Sequence, residues 1–344
     1  MSPGLSYVVI RSHALISDLL TPEQMRSLAE QESLESFVER LLDTPYGRIS
    51  IDTSGDVSIA LERVFYQKFI ERMMGVVDLA PKDIGDFLQS YYYLRFEVVN
   101  LKRIIRGKYS GIPDTQIKES LIPITPHKVK SYEEIAEADS FKGAVRRLEG
   151  TQYASLVSSL ELSEKYDALW PVEIALNHLY AGAVFKSLER LPQADRGLVR
   201  RIVQAEADVE NFLVAAKQRG ARERAHRPEE IFPATYDIGL DKLREAMAAT
   251  DIKKVIQGLD HPYSEILAPI YEGDVALIRS RLRQHVYNIA RKGRATNDFG
   301  FNVVMAYLVF SEIEKDDLVG IAWGKAQRVS SEDILKYLVI PHSP

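Results

Sequence analysis

The sequence predicts an all-α fold made of three similar helical domains. Three observations support this prediction. Apolar residues recur every three or four positions over long stretches, the strict alternation typical of β-strands is nearly absent, and two separate short patterns each occur three times in the 344 residues. Because both patterns return with a period of roughly 110 residues, we expect domains at 1–124, 125–234 and 235–344.

The first recurring pattern is polar. Its central position is Asn or Asp, with an acidic residue three positions earlier and a basic residue eight positions later. In each copy, an apolar pair followed by proline comes about two dozen residues further on. The nine candidate site residues are Glu97, Asn100 and Lys108, then Asp208, Asn211 and Arg219, then Glu314, Asp317 and Lys325.

The second pattern is a tyrosine that follows a short amphipathic helix. DTPY ends at Tyr46, GTQY at Tyr153 and DHPY at Tyr263, and we call these three residues the anchor tyrosines. Their spacing matches that of the polar pattern. Two independent patterns with one period indicate that the chain contains three copies of one unit.

Apolar residues around each central polar position predict one long amphipathic helix per copy. They lie four, eight and twelve positions before it and one, four and five positions after it. This stripe predicts a helix of about 20–25 residues in each copy. In the first copy we expect this helix to end at Gly107, since glycine often terminates helices and Lys108 suits the negative end of the helix dipole.

The shorter elements are predicted to be helical as well. Thr21 and Gln24 have the spacing of a capping box at a helix start. The segments that end at the anchor tyrosines read as short amphipathic helices. Each is followed by the pattern of a longer helix, namely SIALERVFYQKFIERM, VEIALNHLYAGAVFKSL and VALIRSRLRQHVYNIARKG.

Two segments end in Gly-Lys and invite comparison with a nucleotide-binding loop. That loop requires Gly-x-x-x-x-Gly-Lys followed by Ser or Thr, so that backbone amides surround the phosphates and the hydroxyl reaches Mg²⁺. Tyr109 follows the first Gly-Lys pair, and Ala326 follows the second. Neither segment has the required glycine spacing, so we expect no nucleotide binding.

The composition excludes several other classes. There is no cysteine, and the seven histidines are scattered without the spacing of metal ligands, so we expect no metal site and no cofactor. The net charge of −5 argues against a globally basic nucleic-acid binder. The longest apolar run, VVMAYLVF, is far shorter than the roughly 20 residues of a membrane span. These features predict a soluble protein.

The polar positions have more than one interpretation. As a catalytic set they would require three equivalent active sites in one chain, so we favour a polar ridge that bonds neighbouring helices or repeats, or contacts a partner. Three basic clusters are also open to interpretation: LKRIIRGK, AAKQRGARERAHR and RSRLRQHVYNIARKGR. They fit nucleic acid, a solvated helix face, or an acidic partner or anionic lipid.

Several segments together resemble the C subunit of archaeal and bacterial A/V-type ATP synthases, whose counterpart in the eukaryotic vacuolar enzyme is the d subunit. They are SYVVIRSHALISDLLTPEQMRSLAE, YLRFEVVNLKRIIRGKYSGI, WPVEIALNHLY and AYLVFSEIEKDDLVGIAWGK. The resemblance implies a pseudo-threefold funnel and a non-catalytic central-stalk role at the cytoplasmic side of the cell membrane. The implied partners are the shaft subunits D and F and the membrane proteolipid ring, with no nucleic acid.

Two alternatives come from other classes of protein. One is an α-helical repeat scaffold unrelated to ATP synthases, which predicts an open concave surface. The other is an all-α nucleic-acid-binding protein that uses the basic clusters, which predicts binding that weakens steeply with salt.

Overall fold

The computed structural model describes residues 3–47, 56–125, 128–219, 228–232 and 234–343. Within these ranges the chain is helical and has no β-strand, which confirms the predicted all-α class. The contacts divide the chain into two compact units: Met1–Pro81 together with Pro192–Pro344, and Lys82–Leu191. The boundaries 1–124, 125–234 and 235–344 stay a prediction.

The helices are named in chain order. They are α1 (Pro3–Ile16), α2 (Pro22–Ala29), α3 (Leu34–Leu41), α4 (Val57–Val77), α5 (Lys82–Leu88), α6 (Leu94–Tyr109), α7 (Asp114–Glu119), α8 (Tyr132–Ala136), α9 (Phe141–Arg146), α10 (Ser159–Tyr166), α11 (Trp170–Leu188), α12 (Gln193–Lys217), α13 (Pro228–Ile231), α14 (Leu240–Ala248), α15 (Ile252–Gln257), α16 (Tyr263–Leu267), α17 (Val275–Thr296), α18 (Phe301–Ala326) and α19 (Ser331–Tyr337). Short 3₁₀ turns cover Ala154–Ser158, Ala268–Glu272 and Ile340–His342, and a π-helical turn covers Gln89–Tyr93.

Side-chain caps begin many of these helices. Thr21 and Gln24 form the predicted capping box at α2, each side chain bonding the backbone amide of the other residue. The short helices before the anchor tyrosines, α3, α9 and α15, are capped by Ser33, Ser140 and Asp251. Because a cap satisfies an amide that the helix itself leaves unpaired, these residues fix where each helix starts.

The predicted long helix is present in every copy. In the first copy, α5, the π-helical turn and α6 follow one another from Lys82 to Tyr109, and α12 and α18 contain 25 and 26 residues. The π turn contains Tyr91, whose ring lies 5.0 Å from the guanidinium of Arg95. This cation–π contact joins the π turn to the first turn of α6.

The core of the unit formed by residues 1–81 and 192–344 is centred on α18. This helix is buried on nearly all sides, and it packs against α1, α4 and α17. Phe65, Phe69 and Met73 of α4 are completely buried. Among the described helices, α18 included, none combines the length and apolar composition needed to cross a lipid bilayer.

The core of the unit Lys82–Leu191 is centred on α6, which packs against α9 and α11. Leu101 and Ile104 of α6 are fully buried, as are Val145 of α9 and Leu176 of α11. The apolar stripe predicted around Asn100 is therefore the face that packs into this core.

The predicted role of Gly107 as a helix stop is wrong, because α6 continues to Tyr109. A Cβ atom on Gly107 would lie 2.6 Å from Cγ1 of Ile117, and one on Gly324 would lie 2.7 Å from Ile334. Glycine is needed at these two positions because the next helix, α7 or α19, crosses too closely for any side chain. The Gly-Lys pairs mark this close crossing.

Candidate functional site

The acids of the three copies are buried in the middle of the long helices. Glu97 lies in α6, Asp208 in α12 and Glu314 in α18, and all three are fully inaccessible to solvent. A buried carboxylate is costly unless its oxygens accept hydrogen bonds. Each acid has such donors, and their positions in the sequence follow a common rule.

Glu314 has the most extensive set of donors. Its Oε1 accepts from the hydroxyl of Tyr46 at 2.7 Å and from Nη1 of Arg72 at 2.7 Å, and its Oε2 accepts from the backbone amide of Leu20 at 2.5 Å. Arg72 also donates to the hydroxyl of Ser311 at 3.1 Å. This is a buried, hydrogen-bonded ion pair between α4 and α18.

Glu97 has two corresponding donors. Its Oε1 accepts from the hydroxyl of Tyr153 at 2.7 Å, and its Oε2 accepts from the backbone amide of Lys128 at 3.1 Å. Burial, with Glu97 as the next cause, raises the pKa of Tyr153 far above its ordinary value. Tyr153 therefore stays a hydrogen-bond donor at any physiological pH.

Asp208 accepts from three consecutive backbone amides. These belong to Tyr236 at 3.0 Å, Asp237 at 2.8 Å and Ile238 at 3.1 Å. The third anchor tyrosine, Tyr263, donates to the neighbouring Asp237 at 3.0 Å. Burial raises the pKa of Asp208 to about 6, against the opposing effect of the three amides.

The donors of each acid come from the following copy of the repeat. Each set contains a backbone amide 25 or 26 residues before an anchor tyrosine, and the sets of Glu97 and Glu314 also contain that tyrosine. Glu97 accepts from Lys128 and Tyr153, and Glu314 accepts from Leu20 and Tyr46. Asp208 accepts from Ile238, while Tyr263 bonds the neighbouring Asp237. The pairing of Glu314 joins the third copy to the first, so the order of pairing is cyclic.

The central polar residues bind within their own copy. Asn100 accepts from the amide of Ile122 at 2.8 Å and donates to its carbonyl at 3.0 Å. Asn211 donates to the carbonyl of Ala234 at 2.8 Å. In the third copy, Asp317 accepts from the amides of Val339 and Ile340. In the first and third copies the acid and the central residue thus hold two different segments, whereas Asp208 and Asn211 hold adjacent residues of one segment.

Asp317 is a carboxylic acid where the other copies have an amide. Burial raises its pKa to about 7, although the amides of Ile340 and Val339 and the charge of Arg283 act in the opposite direction. Asn100 fills the corresponding site without any titrating group. The third copy is therefore the one in which this position responds to pH.

The three bases have different surroundings. Lys108 forms an ion pair with Asp114, and its side chain is only 9% exposed. Lys325 is buried and donates to the hydroxyl of Ser331 at 2.8 Å. Arg219 is exposed. Lys108 and Lys325 are shielded from solvent because each base bonds the start of the helix that crosses its glycine.

Sequence reasoning missed a second charge cluster, which is partly buried. Lys315 lies 2.6 Å from Asp316, which also pairs with Arg283 of α17 at 3.3 Å. Nζ of Lys315 is 4.1 Å from the centre of the Tyr66 ring of α4. The cluster occurs in one copy of the repeat, so a comparison of the copies could not reveal it.

These contacts determine what the polar positions can do chemically. The oxygens of Glu97, Asp208 and Glu314 are bonded to groups of the chain itself, so the acids hold segments together. Within the residues that the structure describes, no three His, Asp or Glu side chains form a group that could hold a metal ion. These side chains thus bond the long helices to other segments of the chain.

Comparison with known proteins gives one consistent result. The model of the family "ATP synthase (C/AC39) subunit", which is a non-catalytic subunit, matches residues 8–337. Similar proteins include the C subunits of the A-type ATP synthases of Methanocaldococcus jannaschii (26% identical, covering 97% of this chain and 86% of the relative), Methanothermobacter thermautotrophicus (25%, 97% and 87%) and Archaeoglobus fulgidus (24%, 97% and 96%). The alternatives unrelated to ATP synthases are therefore wrong, and the chain belongs to the ATP synthase (C/AC39) subunit family.

Proposed function

We propose that this chain is the central-stalk rotor subunit that couples the shaft subunits D and F to the membrane proteolipid ring, at the cytoplasmic side of the membrane. It takes no part in ATP chemistry. It transmits torque in either direction, for ion-driven ATP synthesis or ATP-driven ion pumping. The match of the subunit family over residues 8–337 supports this role.

We propose further that the three helical domains surround a pseudo-threefold axis as a funnel. The observation that carries this arrangement is the cyclic order of the buried hydrogen bonds. Glu97 bonds Tyr153 of the next copy, and Glu314 of the last copy bonds Tyr46 of the first. The last copy therefore bonds the first copy in the same way as the first bonds the second. Such a pattern is suited to a closed ring of three domains.

A torque-transmitting part must resist twisting, and the buried polar contacts are suited to this. Removing one partner of a buried ion pair such as Arg72 and Glu314 typically costs about 3–5 kcal/mol. The N-terminal segment is held to α18 by such a pair and by the Tyr46 and Leu20 hydrogen bonds. Separating these elements under load therefore requires breaking several buried bonds together.

The proposal is tested by assembly from purified parts. The full chain is mixed with the D and F subunits, with the detergent-solubilised proteolipid ring, and with both, and the complexes are separated by size. We expect the chain to bind each part alone and to join them in one complex. Failure to bind either part would overturn the proposed coupling role.

A further inference from the structure

Three of the most exposed large apolar side chains in the described residues lie on α1 and on the turn that α1 contacts through His13. Phe299 is 73% exposed, Ile10 69% and Tyr7 56%. Tyr7, Ile10 and Ala14 are spaced by three and four residues on α1, so they share one face of that helix. We call Tyr7, Ile10, Ala14 and Phe299 the apolar patch.

A hydrogen bond fixes Phe299 at the edge of this face. Nε2 of His13, on the next turn of α1 after Ile10, bonds the backbone carbonyl of Asp298 at 2.8 Å. The amide of Phe299 donates to the side chain of Asn297 at 3.2 Å, which holds the short connection between α17 and α18 in a turn. The aromatic ring is thus presented to solvent by an ordered turn.

The outer face of α1 carries Tyr7, Ile10 and Ala14 beside one exposed cation, Arg11, although its inner face already forms part of the core. Leu5, Val8 and Val9 on the inner face are buried. A helix with large apolar side chains on both faces is expected to be covered on both. No part of the described chain covers Tyr7 and Ile10.

The helix that carries Tyr7 and Ile10 and the helix that leads to Phe299 contain cations and no acids. α1 contains no acidic residue, and neither does α17, which carries six arginines and lysines. Three of these, Arg291, Lys292 and Arg294, lie in the last turns of α17, a few residues before Phe299. Asp298 is the acid of the connecting turn. The chain as a whole has a net charge of −5, whereas these two helices are positively charged.

We propose that the apolar patch and the end of α17 form a docking surface for an anionic membrane. Exposed aromatic and aliphatic side chains flanked by cations are the features by which peripheral proteins insert at the headgroup boundary and bind anionic lipids. Tyr7, Ile10 and Phe299 enter the interface, and Arg291, Lys292 and Arg294 face the lipid phosphates. This membrane contact is separate from binding to the shaft and the ring, so a substitution can abolish one of these interactions and leave the other intact.

The test is co-sedimentation of the full chain with vesicles. We expect binding to vesicles of phosphatidylglycerol and phosphatidylcholine, little binding to phosphatidylcholine alone, and loss of binding at high salt. The variant Ile10→Ser with Phe299→Ser should bind about tenfold more weakly, and so should Arg291→Glu with Lys292→Glu and Arg294→Glu.

Matched controls separate the proposed surface from general effects. Leu42→Ser removes a side chain that is as exposed as Tyr7, and Lys82→Glu with Arg146→Glu and Lys165→Glu reverses three exposed cations elsewhere. Both controls should bind vesicles like the wild type, and all variants should keep its circular dichroism spectrum. The proposal is overturned if the chain binds no vesicles, or if the patch and control variants lose binding equally. It is also overturned if the patch variants lose only binding to the shaft or ring, since the patch would then contact protein.

Discussion

Tyr46 and Glu314 are 268 residues apart in the chain, yet the tyrosine hydroxyl donates to the glutamate carboxylate at 2.7 Å in the buried core. The same relationship joins Tyr153 to Glu97. The pair of Tyr46 and Glu314 links the first copy of the repeat to the long helix of the third copy. It is therefore the contact that makes the order of pairing cyclic.

Tyr46→Phe should destabilise the folded chain. The substitution removes the hydroxyl donor but keeps the ring against Phe65, and a hydrogen bond to a charged group is worth about 1.5–3 kcal/mol. We expect a loss of that order in the free energy of unfolding, measured with urea. Tyr271→Phe, at an exposed position, is the matched control and should change it by less than about 0.5 kcal/mol. Equal effects of the two substitutions would show that the buried hydrogen bond contributes nothing.

Asp317→Asn should remove part of the pH dependence of stability. In the folded chain the pKa of Asp317 is raised to about 7, whereas an unfolded aspartate titrates near pH ~3.9. Between these values the folded state keeps a proton that the unfolded state has lost, so the free energy of unfolding falls as pH rises through this window.

The asparagine variant cannot titrate at this position, so its stability should fall less between about pH 5 and pH 8. Urea unfolding at the two ends of that range measures the difference. Asp208, whose pKa is also raised, remains and leaves a residual slope of the same sign. Asp43→Asn, at an exposed aspartate, should keep the wild-type slope. An unchanged slope in Asp317→Asn would mean that Asp317 is ionised throughout.

Gly107→Ala should be destabilising although the residue lies inside a helix. The new methyl group would meet the side chain of Ile117 at 2.6 Å, and overpacking of this kind typically costs about 1–3 kcal/mol. Gly197→Ala in α12 meets no atom within 4 Å and should be neutral or stabilise by up to about 1 kcal/mol. Thermal unfolding of both variants makes the comparison. Stabilisation by both alanines would contradict the close crossing of α6 and α7.

Lys325→Glu and Arg219→Glu should differ sharply despite their equivalent positions in the repeat. Lys325 is buried, and burial lowers its pKa, so a carboxylate in its place would lie beside Ser331 without a cation. Arg219 is exposed, so its reversal should change stability by less than about 0.5 kcal/mol. Arg219→Glu therefore tests partner binding without disturbing the fold. Similar stability of both variants would contradict the buried position of Lys325.

The sequence was sufficient to predict the elements whose cause is local. The capping box at Thr21 and the long helix around Asn100 follow from spacing within one helix, and both are present. The same reasoning failed at Gly107, because a helix stop and a close crossing both require glycine. Only the position of Ile117 distinguishes the two cases.

The polar partners could be predicted much less well. The repeat identified Glu314 and Tyr46 as recurring residues but could not reveal that an acid bonds the tyrosine of the following copy, since a contact over such a separation leaves no periodic signal. Arg72 was missed for a different reason. It lies 26 residues after Tyr46, and the positions 26 residues after the other two anchor tyrosines hold Leu179 and Ile289, so its charge does not recur.

The central claim, that this chain couples the shaft to the ring, is tested most directly by comparing ATP hydrolysis with ATP-driven ion pumping in membrane vesicles. The vesicles should carry the ATP synthase complex with and without this chain. We expect vesicles without the chain to retain hydrolysis by the catalytic head but to lose pumping, and added purified chain to restore pumping. Ion pumping that is unaffected by removal of the chain would contradict the account.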